Sequence, residues 1–390
     1  MNSHVYLLAV SAFIVGMVEL IVSGILPIIA EDLSVSIALA GQLITIFALV
    51  FAVAGPLLLS FTSNIERKKV YMWALAVFAV ANIGASLAPT FAMLMAARFV
   101  TAASAALIIV LALTMAPKLV EAKYRSRSIG VVTMGVSSAL VLGVPLGVLI
   151  GEAFGWRIIF VLIAVLSVLI GVVMIRYLPR MQPVQVVTVG QQIRSLKDIK
   201  IVGIHSVTLL VLAGHYTLYG YFNPFMQETM GLNAFWISAI FFIFGAAAVS
   251  GGGVGGWLTD RFGAKKMSLT FIASFAVILF ILPFTTNAMP LFITAVVIWG
   301  ILSWSIAPAQ QSYLIAVAPE TSDIQQSVNT SALQVGIAFG SILGGVVVEQ
   351  AAVVANSWAG SALVVVAMGF ALLVYRAPRV QKKEVELHET

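Results

Sequence analysis

Charge is scarce in this chain. Only 9% of its 390 residues are Asp, Glu, Lys or Arg, while 61% are hydrophobic. Soluble globular chains carry about 25% charged residues. A soluble fold of this length would lack the polar side chains to cover its apolar surface. Cysteine is absent altogether, which excludes disulfides and thiolate metal sites. The sequence has no P-loop, no HExxH and no His/Asp/Glu cluster with metal-ligand spacing, so neither a cofactor nor a bound metal is expected. Gly251, Gly253 and Gly256 fit G-x-G-x-x-G, but no strand precedes them, which removes a dinucleotide reading. Asn329-Thr330-Ser331 fits a glycosylation sequon but begins inside an apolar run.

What the chain has instead is apolar runs of 20 or more residues and a mean hydropathy of +1.08. In lipid only helices or closed barrels satisfy the backbone, and barrel strands would alternate apolar and polar residues. Solid runs therefore predict an all-α membrane protein. With about 20 residues per crossing, twelve transmembrane helices fall near 5–29, 37–61, 70–88, 91–116, 128–151, 157–178, 201–227, 234–258, 267–286, 289–315, 324–349 and 355–376. The first run has no Lys or Arg before it and is longer than a signal h-region, so it is expected to be retained as a span.

Residues 179–200, with Pro179, Pro183, Arg194, Lys197 and Lys200, read as a linker between two six-helix bundles, 1–178 and 201–376, followed by a tail, 377–390. Basic residues collect on alternate connections: Arg67 to Lys69, Lys118 to Arg127, Arg176 with Arg180 and the linker, Arg261 to Lys266, and the tail. Of the 21 Lys and Arg, only Arg98 and Arg157 lie elsewhere, and the opposite connections carry Glu31, Asp32, Glu152, Glu228 and Glu349. The positive-inside rule then places both termini in the cytoplasm. The net charge of +6 is thus a topology signal, and no nucleic-acid partner is expected.

The chain also matches itself at an offset of 197: Pro27 with Pro224, Lys68 and Lys69 with Lys265 and Lys266, Gly143 and Gly147 with Gly340 and Gly344. One offset recurring at equivalent points suggests duplication, with the first and seventh helices each ending on a proline. Parallel six-helix repeats place a ligand site between the halves, near the midplane.

The loop after the eighth helix reads Gly256-Trp257-Leu258-Thr259-Asp260-Arg261-Phe262-Gly263-Ala264-Lys265-Lys266. It resembles the signature loop of the major facilitator superfamily, G-x-L-x-D-R-x-G-x-[KR]-[KR]. Gly256 would permit close helix approach, and Asp260 would latch one conformation through charge-assisted bonds or a helix N-terminus. The first-half counterpart keeps Arg67, Lys68 and Lys69 but has Ser63 and Glu66 in place of the Asp and the Gly. The fifth helix, with Gly135, Gly143, Pro145, Gly147 and Gly151, resembles the Gly/Pro signature of drug–proton antiporters. Small residues four apart allow close packing, and Pro145 removes a backbone bond.

Phe13 to Leu20, Gly24-Ile25-Leu26-Pro27, Gly214-His215-Tyr216 with Tyr221 and Pro224, and Ser331 to Gly345 are similar to the sugar-efflux and chloramphenicol-efflux permeases of that twelve-span group. Helix four lacks the Gly and His that the group often shows, and Gln334 stands where Asn is common. The resemblance implies a monomeric, proton-coupled efflux carrier of a bacterial inner membrane, acting on a small amphipathic molecule by alternating access. A facilitator or a nutrient symporter on the same fold remains the alternative; an intramembrane enzyme, sensor or channel finds no motif.

Glu19 and Arg98 are the charged residues expected deep in the hydrocarbon, where ionisable groups are costly. Burial and a nearby cation act oppositely on a carboxyl's proton affinity, so Glu19 is a candidate proton carrier modulated by Arg98. The alternative for the same two residues is a permanent ion pair that orients the helices. His215 falls at similar depth and is a candidate proton relay or substrate ligand; His205, nearer the cytoplasmic end, reads as structural. The expected cavity lining is Thr101, Ser104, Tyr216, Tyr219, Asn223, Trp299, Trp304, Gln310 and Gln311, suited to cation–π and apolar contacts. Gly143, Pro145, Gly147, Gly256, Asp260, Arg261, Gly263 and Lys265 are the candidate conformational residues.

Overall fold

The computed structural model describes residues 3–183, 189–196 and 198–376. Lys197 and the 377–390 tail, with Arg379, Lys382 and Lys383, lie outside the described residues. Among the described residues there is no strand, and twelve helices are long and apolar enough to cross a membrane. They are α1 (Ser3–Asp32), α2 (Ile37–Phe61), α3 (Arg67–Ser86), α4 (Phe91–Lys118), α5 (Ala122–Phe154) and α6 (Trp156–Tyr177). The second set is α7 (Ile199–Tyr219), α8 (Ala234–Phe262), α9 (Ala264–Thr285), α10 (Met289–Val317), α11 (Pro319–Gln350) and α12 (Ala355–Arg376). A short helix, Val189–Ser195, lies in the linker.

Glycine decides which helices pair. Side chains on Gly135, Gly143 and Gly147 of α5 would run into Ala9, Met17 and Ile21 of α1. Gly336, Gly340 and Gly344 of α11 lie in the same way against Leu209, Ala213 and Thr217 of α7. Each half therefore repeats one close-packed pair, as van der Waals packing without water requires. The halves meet along two pseudo-equivalent seams, α2 with α11 and α5 with α8.

Two helices are interrupted. In α5, Ala139–Gly143 adopts wider π-type turns just before Pro145, because the proline has no N–H to donate one turn back. The run read as one helix over 201–227 stops at Tyr219 and restarts as a short helix, Phe222–Met230. Pro224 has no N–H for the Gly220 carbonyl, and the helix ends there. The expectation that both halves end a helix on proline is corrected accordingly. Pro27 lies inside the continuous α1, and Pro224 sits in the first turn of the new helix, a position proline tolerates.

Candidate substrate and proton site

A cavity of about 500 Å3 lies between the halves, toward the face carrying the basic loops. One wall is mostly apolar, Phe51, Pro56 and Leu59 of α2 with Ile109, Val110 and Leu113 of α4, and is joined by Thr114 and, at the basic end, Arg67. The opposite wall is the polar stripe of α11, Asp323, Gln326, Ser327, Thr330 and Ser331, and the linker residue Gln192 completes the mouth. Gln192 Nε2 donates to Ser327 Oγ at 3.2 Å. At the inner end, Ser331 Oγ donates across to the Ala52 carbonyl at 3.0 Å.

Beyond that point the halves are closed. Ser341 Oγ donates to the Gly41 carbonyl (3.0 Å), Ser238 Oγ to the Pro145 carbonyl (2.9 Å), and Asn223 Nδ2 to the Gly24 carbonyl. At the acidic face Ser36 caps α2 and donates to Glu349 Oε1 at 3.0 Å. These inter-half bonds run from mid-membrane to the acidic face, so the described conformation is open toward the basic face.

Glu19 sits one helical turn past the cavity's inner end. Its Oε1 accepts a 2.9 Å bond from Nε2 of Gln334, three residues along α11 from Ser331. Each residue advances a helix about 1.5 Å, so the pair lies directly behind the cavity floor. Arg98 is fully buried beside it. One guanidinium nitrogen donates to the carbonyl of Val18 (2.9 Å), and the group stacks 4.4 Å from the Phe47 centroid. Its Nε and other terminal nitrogen have no hydrogen-bond partner. Arg98 and Glu19 form no ion pair within 4 Å; among the described residues such pairs are Glu66–Lys69, Glu121–Lys123 and Asp32–Arg157. The sequence-level alternative of a permanent Glu19–Arg98 bridge is absent in this conformation.

On the C-terminal side, His215 is enclosed by Tyr216, Tyr219, Phe244, Phe275 and Trp299, with ring centroids 5.2–6.1 Å away. Trp299 Nε1 donates to His215 Nδ1 at 3.2 Å. That bond leaves a neutral imidazole with its proton on Nε2.

The matches to known proteins agree with this architecture. The family model for the Major Facilitator Superfamily matches residues 8–323 and 251–390. Two transporters of Bacillus subtilis (strain 168) are similar along nearly the whole chain. The MFS-type transporter YbcL is 34% identical over 98% of each chain. The MFS-type transporter YtbD is 30% identical over 92% of this chain and 91% of its own. This chain belongs to the Major Facilitator Superfamily. Among solved structures, a bacterial homologue of the human lysosomal transporter Spinster, inward-facing and occupied, superposes with a TM-score of 0.77. Sequence identity there is 16%, and 96% of this chain and 97% of that one are covered. Its inward-facing, unoccupied form gives 0.75.

The superfamily loop after α8 is unlatched here. Asp260, Arg261 and Lys265 are exposed, and Asp260 makes no ion pair. Arg261 lies over the Trp257 and Phe262 rings at 5.6 and 5.5 Å. Gly256 approaches no neighbour. The close approaches are made by two glycines before it: Gly251 meets the Ile301 backbone and Gly255 that of Ser305. Gly263 ends α8 at φ 88, a left-handed conformation that favours glycine. The first-half loop is tied down instead. Arg67 donates to the carbonyls of Thr62 and Ser63, and Lys68 caps α6 through the Ile175 and Leu178 carbonyls.

Several expected cavity residues lie elsewhere. Thr101 and Ser104 are buried and spend their hydroxyls on the α4 backbone; Ser104 lines an outer groove between α2, α3 and α4. Gln310 is buried, accepting from Thr208 (3.0 Å), while Gln311 is exposed, since adjacent residues of a helix face different ways. Trp304 is half-buried against the core. Asn223 spans the halves at Gly24, with its own carbonyl oxygen unpartnered. Sequence reasoning marked Gln334 only as a departure from the group's usual Asn and did not foresee its bond to Glu19. It also missed the polar stripe of α11, whose Ser and Thr recur every three to four residues.

Proposed function

We propose that this transporter exports a small amphipathic molecule in exchange for protons, with Glu19 as the proton site and Arg98 as its modulator. One observation carries the reading: a lone carboxyl group lies on the seam between the halves, at the blind end of the cavity, beside a buried guanidinium with two unused nitrogens. A deprotonated Glu19 offers Arg98 the partner it lacks; a protonated one does not.

Gln334 suits either state. Its Nε2 donates to the carboxylate, and its Oε1, buried without a partner, would accept from the acid after an amide flip. The bond between halves therefore persists when the proton leaves, and the charge between Glu19 and Arg98 is what changes. Substrate entering from the basic face would lie against Phe51 and Leu113 on one side and the hydroxyls and carboxamides of α11 on the other. His215 and its aromatic box are buried within the C-terminal half, apart from the residues that line the cavity, and serve as packing rather than as a proton path. Opening to the acidic face breaks the Ser36–Glu349, Gly41–Ser341 and Gly24–Asn223 contacts as the halves rock. By the positive-inside rule the basic face is cytoplasmic, with both termini inside a bacterial inner membrane, and the carrier works as a monomer.

The test is transport in reconstituted vesicles with an imposed pH gradient, using a fluorescent amphipathic cation such as ethidium. Wild type should accumulate it against its gradient. Glu19→Gln should lose accumulation but keep substrate exchange at equal pH. Gradient-driven accumulation by Glu19→Gln equal to wild type would remove Glu19 from the coupling.

A further inference from the structure

Three grooves run along the outside of the N-terminal half, and Trp73 lines all of them. The first, at the basic face, is about 450 Å3 and is bounded by Glu66, Lys68, Lys69, Trp73, Ile175 and Arg180. The second, about 490 Å3, continues from Lys69 and Trp73 between α2, α3 and α4, along an apolar wall that includes Val77, Phe99 and Leu107. The third, about 540 Å3, carries the strip on past Val80 to Gly84. A cationic rim thus opens onto a continuous apolar channel on the lipid-facing side of the protein.

We infer that this strip binds an anionic phospholipid, with its phosphate at Lys69 and Arg180 and one acyl chain along α3 and α4. The rim holds three cations against one carboxylate, Glu66. Lys68 is committed to the α6 carbonyls, and Glu66 sits 3.9 Å from Lys69, whose side chain is 70% exposed. Lys69 and Arg180 are therefore the side chains open to a phosphate. Trp73 is 71% exposed and lies one helical turn inward, at the headgroup level that tryptophan favours.

The length also fits. One leaflet of hydrocarbon is about half of a 30 Å core. At about 1.5 Å per residue, that span runs from Lys69 to near Val80, the stretch the second groove and the start of the third cover. A basic pocket between transmembrane helices is the setting in which acidic lipid headgroups are recognised.

The experiment uses the full chain in phosphatidylcholine vesicles doped with a few per cent of tail-brominated phosphatidylglycerol or tail-brominated phosphatidylcholine, read by tryptophan quenching. Phosphatidylglycerol should quench preferentially, and Trp73→Phe should abolish the preference. Lys69→Gln and Arg180→Gln, both at exposed positions, should each weaken it about fivefold, the worth of one surface cation. Millimolar glycerol phosphate should leave it intact, because a soluble headgroup lacks the acyl chain. Equal quenching by the two lipids would overturn the proposal, as would a preference unchanged in Trp73→Phe or in both charge variants. Displacement by glycerol phosphate alone would show that the groove contributes nothing, and would also overturn it.

Discussion

Gly41→Ala should open the acidic side. A Cβ at Gly41 would overlap the Tyr221 hydroxyl and stand 2.7 Å from its Cζ. The tyrosine has nowhere to go. Its hydroxyl donates to the Ser341 carbonyl at 2.8 Å, and Gly344 and Gly345 hold the ring edge and hydroxyl on the other side. Overpacking of this kind costs about 1–3 kcal/mol, and losing the Tyr221–Ser341 bond adds about 1 kcal/mol. Gly41 belongs to the N-terminal half and Tyr221 to the C-terminal half, so separating the halves at that face relieves the clash. The penalty of about 2–4 kcal/mol then falls on one conformation only, shifting the equilibrium roughly 30- to 900-fold. Because the chain has no cysteine, spin labels can be placed without background. A pair at Thr90 and Asn287 reports the acidic face, and a pair at Ser126 and Lys265 the basic face. In Gly41→Ala the first distance should lengthen and the second shorten. Gly84→Ala, where a Cβ meets nothing within 4 Å, should change neither. Unchanged distributions in Gly41→Ala would refute the idea that Tyr221 seats the closed side.

Gln334→Leu leaves the Glu19 carboxyl without its donor and should abolish pH-driven transport while Gln334→Asn retains part of it, measured in the vesicle assay. Gly263→Ala places a side chain at φ 88 and should cost about 1 kcal/mol, lowering the thermal midpoint by a few degrees in a fluorescence melt. Arg157→Gln removes the half-exposed pair with Asp32 and a bond to the Ala88 carbonyl. A loss of about 1 kcal/mol, reduced by salt in the wild type, is expected from chemical denaturation. His205→Phe strands Gln325 Oε1, which bonds one ring nitrogen at 3.0 Å, while Asn329, bonded to the other at 3.3 Å, keeps Thr208 at 2.9 Å. It should destabilise by about 1–3 kcal/mol per unsatisfied group, while leaving Glu19-dependent proton coupling in place.

Apolar length and loop charge made the fold legible, because a bilayer imposes both rules on every span. The glycine repeats of α5 and α11 were legible for the same reason: close packing without water needs small residues at a fixed spacing. The break in α7 was hidden, since the run through Tyr221 and Phe222 stays apolar and only the missing Pro224 N–H marks it. Glu19 stood out as an isolated carboxyl group, but its partner did not. The nearest cation in the sequence reading, Arg98, turns to the Val18 carbonyl and the Phe47 ring instead, and an amide from the other half takes its place. Which hydroxyl faces a cavity was equally hidden for Thr101 and Ser104, whose helix-internal bonds are satisfied wherever they point. Gln310 and Gln311 are separable from sequence alone, because adjacent residues on one helix do not share a wall.

Proton release from purified, weakly buffered protein tests the central claim most directly. Candidate amphipathic drugs, sugars and nucleosides would be added to wild type and to Glu19→Gln, with binding followed in parallel. Wild type should release protons on binding, and Glu19→Gln should bind without release. Binding with no proton release in wild type, or equal release from both proteins, would contradict exchange of substrate for a proton at Glu19 and favour a facilitator or another coupling ion.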